Sequence, residues 1–137
     1  MTTGIDPALD TLFQHALTAA QRSYSPYSGF KVGSAIRLAS GEIVTGTNVE
    51  NVSYGLTMCA ERAALVRAVS DFGPAIRIAA VAIAHLDGAA CPPCGACRQV
   101  LAEFAPPEAS VIFKDAGCVR VMPFSEVFPL AFEMKPK

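Results

Sequence analysis

The chain has no tryptophan, only two histidines and little charge: 17% of its 137 residues are Asp, Glu, Lys or Arg, with a formal net charge of −1. No run of basic residues occurs, which argues against a nucleic-acid polymer or an anionic membrane as partner. No apolar stretch is long enough to span a bilayer without a polar break. The opening Met1-Thr2-Thr3-Gly4-Ile5-Asp6 lacks the basic and apolar regions of a signal peptide, so a cytoplasmic location is expected. His15 and His85 stand apart from every other motif. His15 reads as a surface helix residue, and His85, ending a strand, is not expected to be a ligand.

Also missing are internal repeats and an interdomain linker, so residues 1–137 are read as one domain. At this size roughly two thirds of the unfolded chain's surface can be buried. Apolar residues make up 52% of the chain. Either an alanine-rich core absorbs them, or some surface is covered by other copies of the chain. The five cysteines are an odd number, and three fall within seven residues. In a reducing compartment that pattern reads as metal binding or thiol chemistry, not a disulfide framework.

The periodicity divides the chain as follows. Asp6-Pro7 opens an amphipathic helix to about Arg22, with Leu9, Leu12, Phe13, Ala16, Leu17 and Ala20 at helical spacing. Residues 23–29 are turn-rich. Phe30 to Leu38 and Ile43 to Val49 read as a hairpin around Ser40-Gly41, and Gly33 and Gly46 mark a bulge or a close approach within it. A buried helix runs from Thr57 or Met58 to about Val69, stopped by Asp71-Phe72-Gly73-Pro74. Ile76 to Ala84 ends in a continuous apolar run, as in a central strand buried on both faces. A third helix is expected from Cys94 to about Phe104, then strands over Ser110–Lys114 and Cys118–Met122. A helical turn over Pro123–Phe128 and an irregular tail from Pro129 to Lys137 complete the chain. The fold class is α/β: a three-layer α/β/α arrangement around a five-stranded mixed β-sheet.

Two short motifs carry the chemistry, Cys59-Ala60-Glu61-Arg62 and Cys94-Gly95-Ala96-Cys97, the latter preceded by Cys91-Pro92-Pro93. Catalytic zinc takes three protein ligands and structural zinc four. Cys94 and Cys97 share a helix face, Cys59 sits near another helix start, and two helix N-termini aimed at one metal stabilise thiolate charge. Cys91 is either a fourth ligand or a bystander. Cys118 reads as a buried apolar residue. Glu61 separates the possibilities, because a hydrolytic site needs a proton carrier and a structural site does not. Three thiolates around one zinc ion leave a net negative cluster, for which Arg62 and Arg98 are the candidate positive partners.

With these residues in place, Cys59-Ala60-Glu61 followed by Pro93-Cys94-Gly95-Ala96-Cys97 resembles the zinc signature of the cytidine deaminase superfamily. The stretch from Tyr24 to Gly33, with Asn48-Val49-Glu50-Asn51 and Ser53-Tyr54-Gly55-Leu56-Thr57, resembles the small free-nucleoside cytidine deaminases, over about residues 8 to 132. The resemblance implies a cytidine-deaminase-like fold and one Zn2+ per chain on Cys59, Cys94 and Cys97, with Cys91 not a ligand. It implies Glu61 as proton shuttle, Asn48 and Glu50 on the ribose hydroxyls, and Phe30 against the pyrimidine or sugar. Backbone groups at Ala60 and near Cys94 would read the base edge, and Arg62 would bond the ligand sulfurs. It further implies a homotetramer in which Tyr54 and Phe132 reach a neighbour's site. The expected reaction is hydrolysis of cytidine and 2'-deoxycytidine to uridine and 2'-deoxyuridine in pyrimidine salvage, with a small nucleoside as partner. Alternatives are a blasticidin-S-like or other amino-heterocycle deaminase, a four-cysteine structural zinc interaction module, and a thioredoxin-like redox role.

Overall fold

Asp6 caps the first helix, α1 (Pro7–Ala20), by accepting the Ala8 N–H at 2.8 Å, and Pro7 occupies the first turn where its missing N–H costs nothing. The structure is a computed structural model and describes residues 4–136; the expectations for Met1-Thr2-Thr3 and for Lys137 lie outside these. After α1 come β1 (Val32–Leu38), β2 (Ile43–Thr47), a 3-10 turn (Tyr54–Leu56), α2 (Ala60–Phe72) and β3 (Ile78–His85). The remaining elements are α3 (Gly95–Ala102), β4 (Ser110–Asp115), β5 (Cys118–Pro123) and a single turn, α4 (Phe124–Val127).

The strands form one five-stranded mixed sheet, as expected of the sequence, and their order is β2-β1-β3-β4-β5. Only β3 and β4 run parallel, with Val81 opposite Val111, and α3 lies on the crossover between them. Alternation along β3 sends its side chains to two cores. Ile78, Val81 and Ile83 pack with Ala64, Leu65, Leu101, Val111 and Phe124 from the α2, α3 and α4 side. Ala80, Ala82 and Ala84 pack with Leu12, Phe13, Ala16, Ala35 and Ile112 on the α1 side. The apolar run in β3 therefore serves both faces, and the layers are α/β/α. Alanines dominate the α1 side, so α1 lies close to the sheet. A Cβ on Gly33 would stand 2.0 Å from the Ala16 carbonyl oxygen. On the other face, a Cβ on Gly46 would stand 2.4 Å from Ala64 N. Both glycines mark close approaches of helices.

Several boundaries differ from the periodicity reading, each for a local reason. β1 begins at Val32 rather than Phe30, and β2 ends at Thr47 rather than Val49, because the Asn48 side chain replaces the ladder there. Its Oδ1 accepts Val32 N–H at 3.0 Å and its Nδ2 donates to the Phe30 carbonyl at 2.8 Å. Helix α2 begins at Ala60 instead of Thr57 or Met58, since Met58 is still paired with Val49 in an extended bridge. It runs on to Phe72, where Gly73, at φ 88°, donates back to Val69 O at 2.8 Å. Cys118 is exposed, contrary to its reading as a core residue. It pairs with Asp115 at the tip of the β4–β5 hairpin, on the strand at the sheet's edge. Among the described residues no helix is long and apolar enough to cross a membrane.

Candidate active site

The later start of α2 makes Cys59 its N-cap, and Cys94 is the N-cap of α3. Both sulfurs thus stand at helix mouths, where unpaired N–H groups and the helix dipole favour negative charge. Cys94 Sγ accepts the Cys97 N–H at 3.4 Å, which turns Cys97 toward the same point. The Sγ atoms of Cys59, Cys94 and Cys97 all lie within 4.8 Å of one another. Cys59 to Cys94 is 3.9 Å and Cys94 to Cys97 is 3.1 Å. Sulfurs around a tetrahedral zinc ion stand roughly 3.8 Å apart. The donor set therefore fits one zinc ion once the Cys94–Cys97 pair opens by about 0.7 Å.

Cys91 is not in that cluster. Its thiol is buried, and burial first, then the charges of Glu61, Cys59 and Cys94, push its pKa up to about 12. Its backbone N–H is tied to Lys114 O at 3.0 Å on β4. The positive partner of the cluster is Arg62, whose Nη2 donates to Cys59 Sγ at 3.2 Å. Arg98, the other candidate, turns away: its Nε donates to Pro93 O at 2.8 Å and its Nη1 to Val127 O at 2.7 Å. It braces the segment leading into Cys94 instead of the sulfurs. Within the trio, hydrogen bonding from the Cys97 thiol lowers the pKa of Cys59, aided by Arg62 and opposed by burial. Cys97 is shifted up, first by that same bond and then by burial.

A cavity of about 320 Å³ opens beside the cluster, lined by Cys59, Ala60, Glu61, Cys91, Pro92 and Cys94 on one side. Ser28, Phe30, Val32, Asn48, Glu50, Tyr54 and Thr57 line the other. Its volume suits a small molecule. Larger hollows, about 650 Å³ under the tail and about 590 Å³ beside α1, lie away from the thiol cluster. Glu61, in the first turn of α2, is 4% exposed. Burial raises its carboxyl pKa, the Cys59 charge acts in the same direction, and its own backbone N–H opposes both. A protonatable carboxyl thus borders the same cavity as the thiols.

The remaining expected residues divide by what they already bond. Glu50 is buried and accepts Tyr27 N–H at 2.9 Å and Ser28 N–H at 3.1 Å, with Ser28 Oγ donating to its second oxygen. The Ser28 hydroxyl is the main reason its pKa is lowered. Asn48 has its Oδ1 committed to Val32 N–H and Ser23 Oγ and one Nδ2 hydrogen committed to Phe30 O, leaving the other hydrogen for a ligand. Ala60 lies in the first turn of α2 and lines the cavity. Tyr54, exposed in the 3-10 turn, borders the cavity of its own chain. Phe132 does not reach this cavity within one chain: it is exposed in the tail, where its carbonyl accepts from Gln99 Nε2 at 3.3 Å. His15 is exposed, as expected. Sequence reasoning missed the scaffolding side of Asn48 and Glu50, which fix residues 23–32 and so the Phe30 position. The turn-rich composition of that loop, beside two polar residues ending a strand, was the available signal.

A fold of this layering, three thiols at two helix mouths and a buried carboxyl over a small cavity define a zinc-dependent hydrolase of the deaminase class. A family model described as "Cytidine and deoxycytidylate deaminase zinc-binding region" matches residues 7–113, and the chain belongs to that family. A cytidine deaminase of Halalkalibacterium halodurans is 41% identical over 122 residues, 88% of this chain and 91% of the relative. The crystal structure of cytidine deaminase from Mycobacterium tuberculosis superimposes with a TM-score of 0.80 at 40% identity, covering 94% of this chain and 100% of that one. A blasticidin-S deaminase of Bacillus cereus is more distant, 30% identical over 107 residues, 74% of this chain and 76% of the relative.

Proposed function

We propose that this protein is a zinc-dependent cytidine deaminase. It hydrolyses the exocyclic C4–N bond of cytidine and 2'-deoxycytidine, giving uridine or 2'-deoxyuridine and ammonia. The observation that carries this reading is Glu61, a buried carboxyl lining the same cavity as the three converging thiols. Cys59, Cys94 and Cys97 would hold the zinc ion, which when bound lowers the pKa of water and so supplies a nucleophile at neutral pH.

Glu61 accepts the proton that water gives up and delivers it to N3 of the base. Protonated at N3, the ring is electrophilic at C4, where the water oxygen adds. Glu61 then takes the proton of the new C4 hydroxyl and carries it to the amino nitrogen; the C4–N bond breaks, ammonia leaves and the C4 carbonyl forms. Arg62 offsets the thiolate charge. The backbone at Ala60 reads the base edge, Phe30 packs against the ring or sugar, and Asn48 and Glu50 take the sugar hydroxyls. The lowered pKa of Glu50 supports this role, because an ionised carboxylate accepts hydroxyl hydrogen bonds.

The domain, 1–137, acts in the cytoplasm in pyrimidine salvage, on free nucleosides and not on polymers. It works as a homotetramer, in which Tyr54 and Phe132 also border a neighbour's cavity. The exposed apolar side chains Val52, Leu56, Val66 and Phe132 support an assembly that covers them. The relatives named above are mainly cytidine deaminases, which favours a nucleoside over blasticidin S. Cys91 standing outside the cluster disfavours a closed four-thiolate module.

The test is to follow cytidine turnover by the fall in ultraviolet absorbance, in parallel with Glu61→Gln. Turnover by the unmodified enzyme and roughly a hundredfold or greater loss in the variant, with zinc retained in both, is the expected result. Zinc bound with no turnover of cytidine would remove the substrate assignment, and equal turnover by both would remove Glu61 from the mechanism.

A further inference from the structure

Phe30 borders the nucleoside cavity from a position two residues before β1, and 42% of it is exposed. Its strand does not grip it. The ring's support comes from His85, the last residue of β3, which is 9% exposed. The two ring centroids are 4.2 Å apart with 42° between the planes. Strand pairing delivers this contact: Val32 lies opposite His85, and Leu86 N–H donates to Lys31 O at 2.9 Å.

The imidazole itself is anchored from the following loop. His85 Nδ1 accepts the Asp87 N–H at 3.2 Å and the Ala89 N–H at 3.4 Å. An accepting Nδ1 is unprotonated, so this network assigns the proton of the neutral ring to Nε2. His85 does not line the nucleoside cavity. It lines the separate hollow of about 590 Å³ with Phe13, Gln14, Asp87 and Lys114. The imidazole stands as a partition behind Phe30, with the substrate cavity on the Phe30 side.

We propose that His85 is a positioning residue for the nucleoside: its ring holds Phe30 against the bound base or sugar, sets substrate affinity, and touches no reacting atom. This rests on reading the smaller cavity as the nucleoside site. Two substitutions separate the ring from the loop anchor. His85→Asn places an amide oxygen near Nδ1 and keeps the acceptor for the loop but removes the ring. His85→Phe keeps the ring and removes the acceptor, and the adjoining hollow lets water satisfy the two loop N–H groups.

The expected result is that His85→Asn raises KM for cytidine roughly two- to tenfold, the span of an aromatic pair contact, with kcat within about twofold. His85→Phe restores KM. A purely structural anchor gives the opposite order, and that order, or a loss confined to kcat, overturns the proposal. The contact is also read without activity. With only two histidines in the chain, labelled imidazole gives two NMR signals, and His15→Gln assigns them. Phe30→Leu and added uridine should each move the His85 signal and leave His15 in place. An unmoved His85 signal overturns the proposal even in an active enzyme. If the unmodified enzyme leaves cytidine unchanged, the nucleoside reading fails by itself, while the NMR result still decides whether the rings are in contact.

Discussion

Arg62 donates to the Cys59 sulfur at 3.2 Å from the same first turn of α2 that carries Glu61. The start of the helix therefore gathers a clustered thiol, a buried carboxyl and a compensating charge within four consecutive residues. Replacing the guanidinium leaves a tri-thiolate centre with an uncompensated charge. Arg62→Gln should lower turnover or zinc affinity by roughly ten- to a hundredfold, the usual size for a partner of a metal ligand. Zinc titration and turnover at saturating zinc divide the effect between the two.

Cys91 tests the ligand count. Cys91→Ala should keep one zinc per chain, while Cys59→Ala, Cys94→Ala and Cys97→Ala should each lose it. Metal quantification after dialysis reads the difference. Zinc lost from Cys91→Ala would mean a fourth thiolate ligand and a closed site.

Glu50 predicts a pH dependence. Its carboxyl pKa is lowered in the fold, mainly by Ser28, so its stabilising contribution is complete above the unfolded value near 4.5 and is lost as pH falls through the lower folded value. Glu50→Gln should unfold at lower temperature than the unmodified protein, by a margin that is constant from about pH 8 to 5. The margin should narrow below about pH 4.5. Thermal unfolding midpoints across that series check it.

Gly33 predicts a packing failure. A Cβ there meets the Ala16 carbonyl at 2.0 Å, and neither backbone segment can yield cheaply. Gly33→Ala should cost about 3 kcal/mol, the upper end for overpacking. Gly55→Ala, where a Cβ would meet nothing within 4 Å, should stay within about 0.5 kcal/mol. Urea unfolding of the two variants gives the comparison.

Much of this was legible in the chain. The apolar run through Ile83 marked a strand buried on both sides, and the hairpin, sheet composition and helix order followed from period and turn residues. The thiol cluster was legible because its ligands occur as short motifs at helix starts. What could not be read were relationships set by side-chain direction and strand register. Arg98 adjoins a cysteine in sequence, yet roughly 100° of helical rotation per residue sends it to Pro93 and Val127. Cys118 has the alternation of a buried strand, but it lies exposed at the hairpin tip, on the strand at the sheet's edge. The Phe30–His85 contact joins residues far apart in the chain, and only the β1–β3 pairing brings them together.

The thiols sit on two different connections of the sheet. Cys59 lies between β2 and β3, and Cys94 and Cys97 lie on the crossover from β3 to β4. A cation held by all three is therefore a cross-link as well as a reagent: it closes a loop of 35 residues around the central strand. Closing such a loop removes freedom from the unfolded chain, as a disulfide of the same span would. Chelation would then loosen the whole centre of the molecule together with the catalytic cavity, and zinc supply would govern how long the protein survives as well as how fast it turns over.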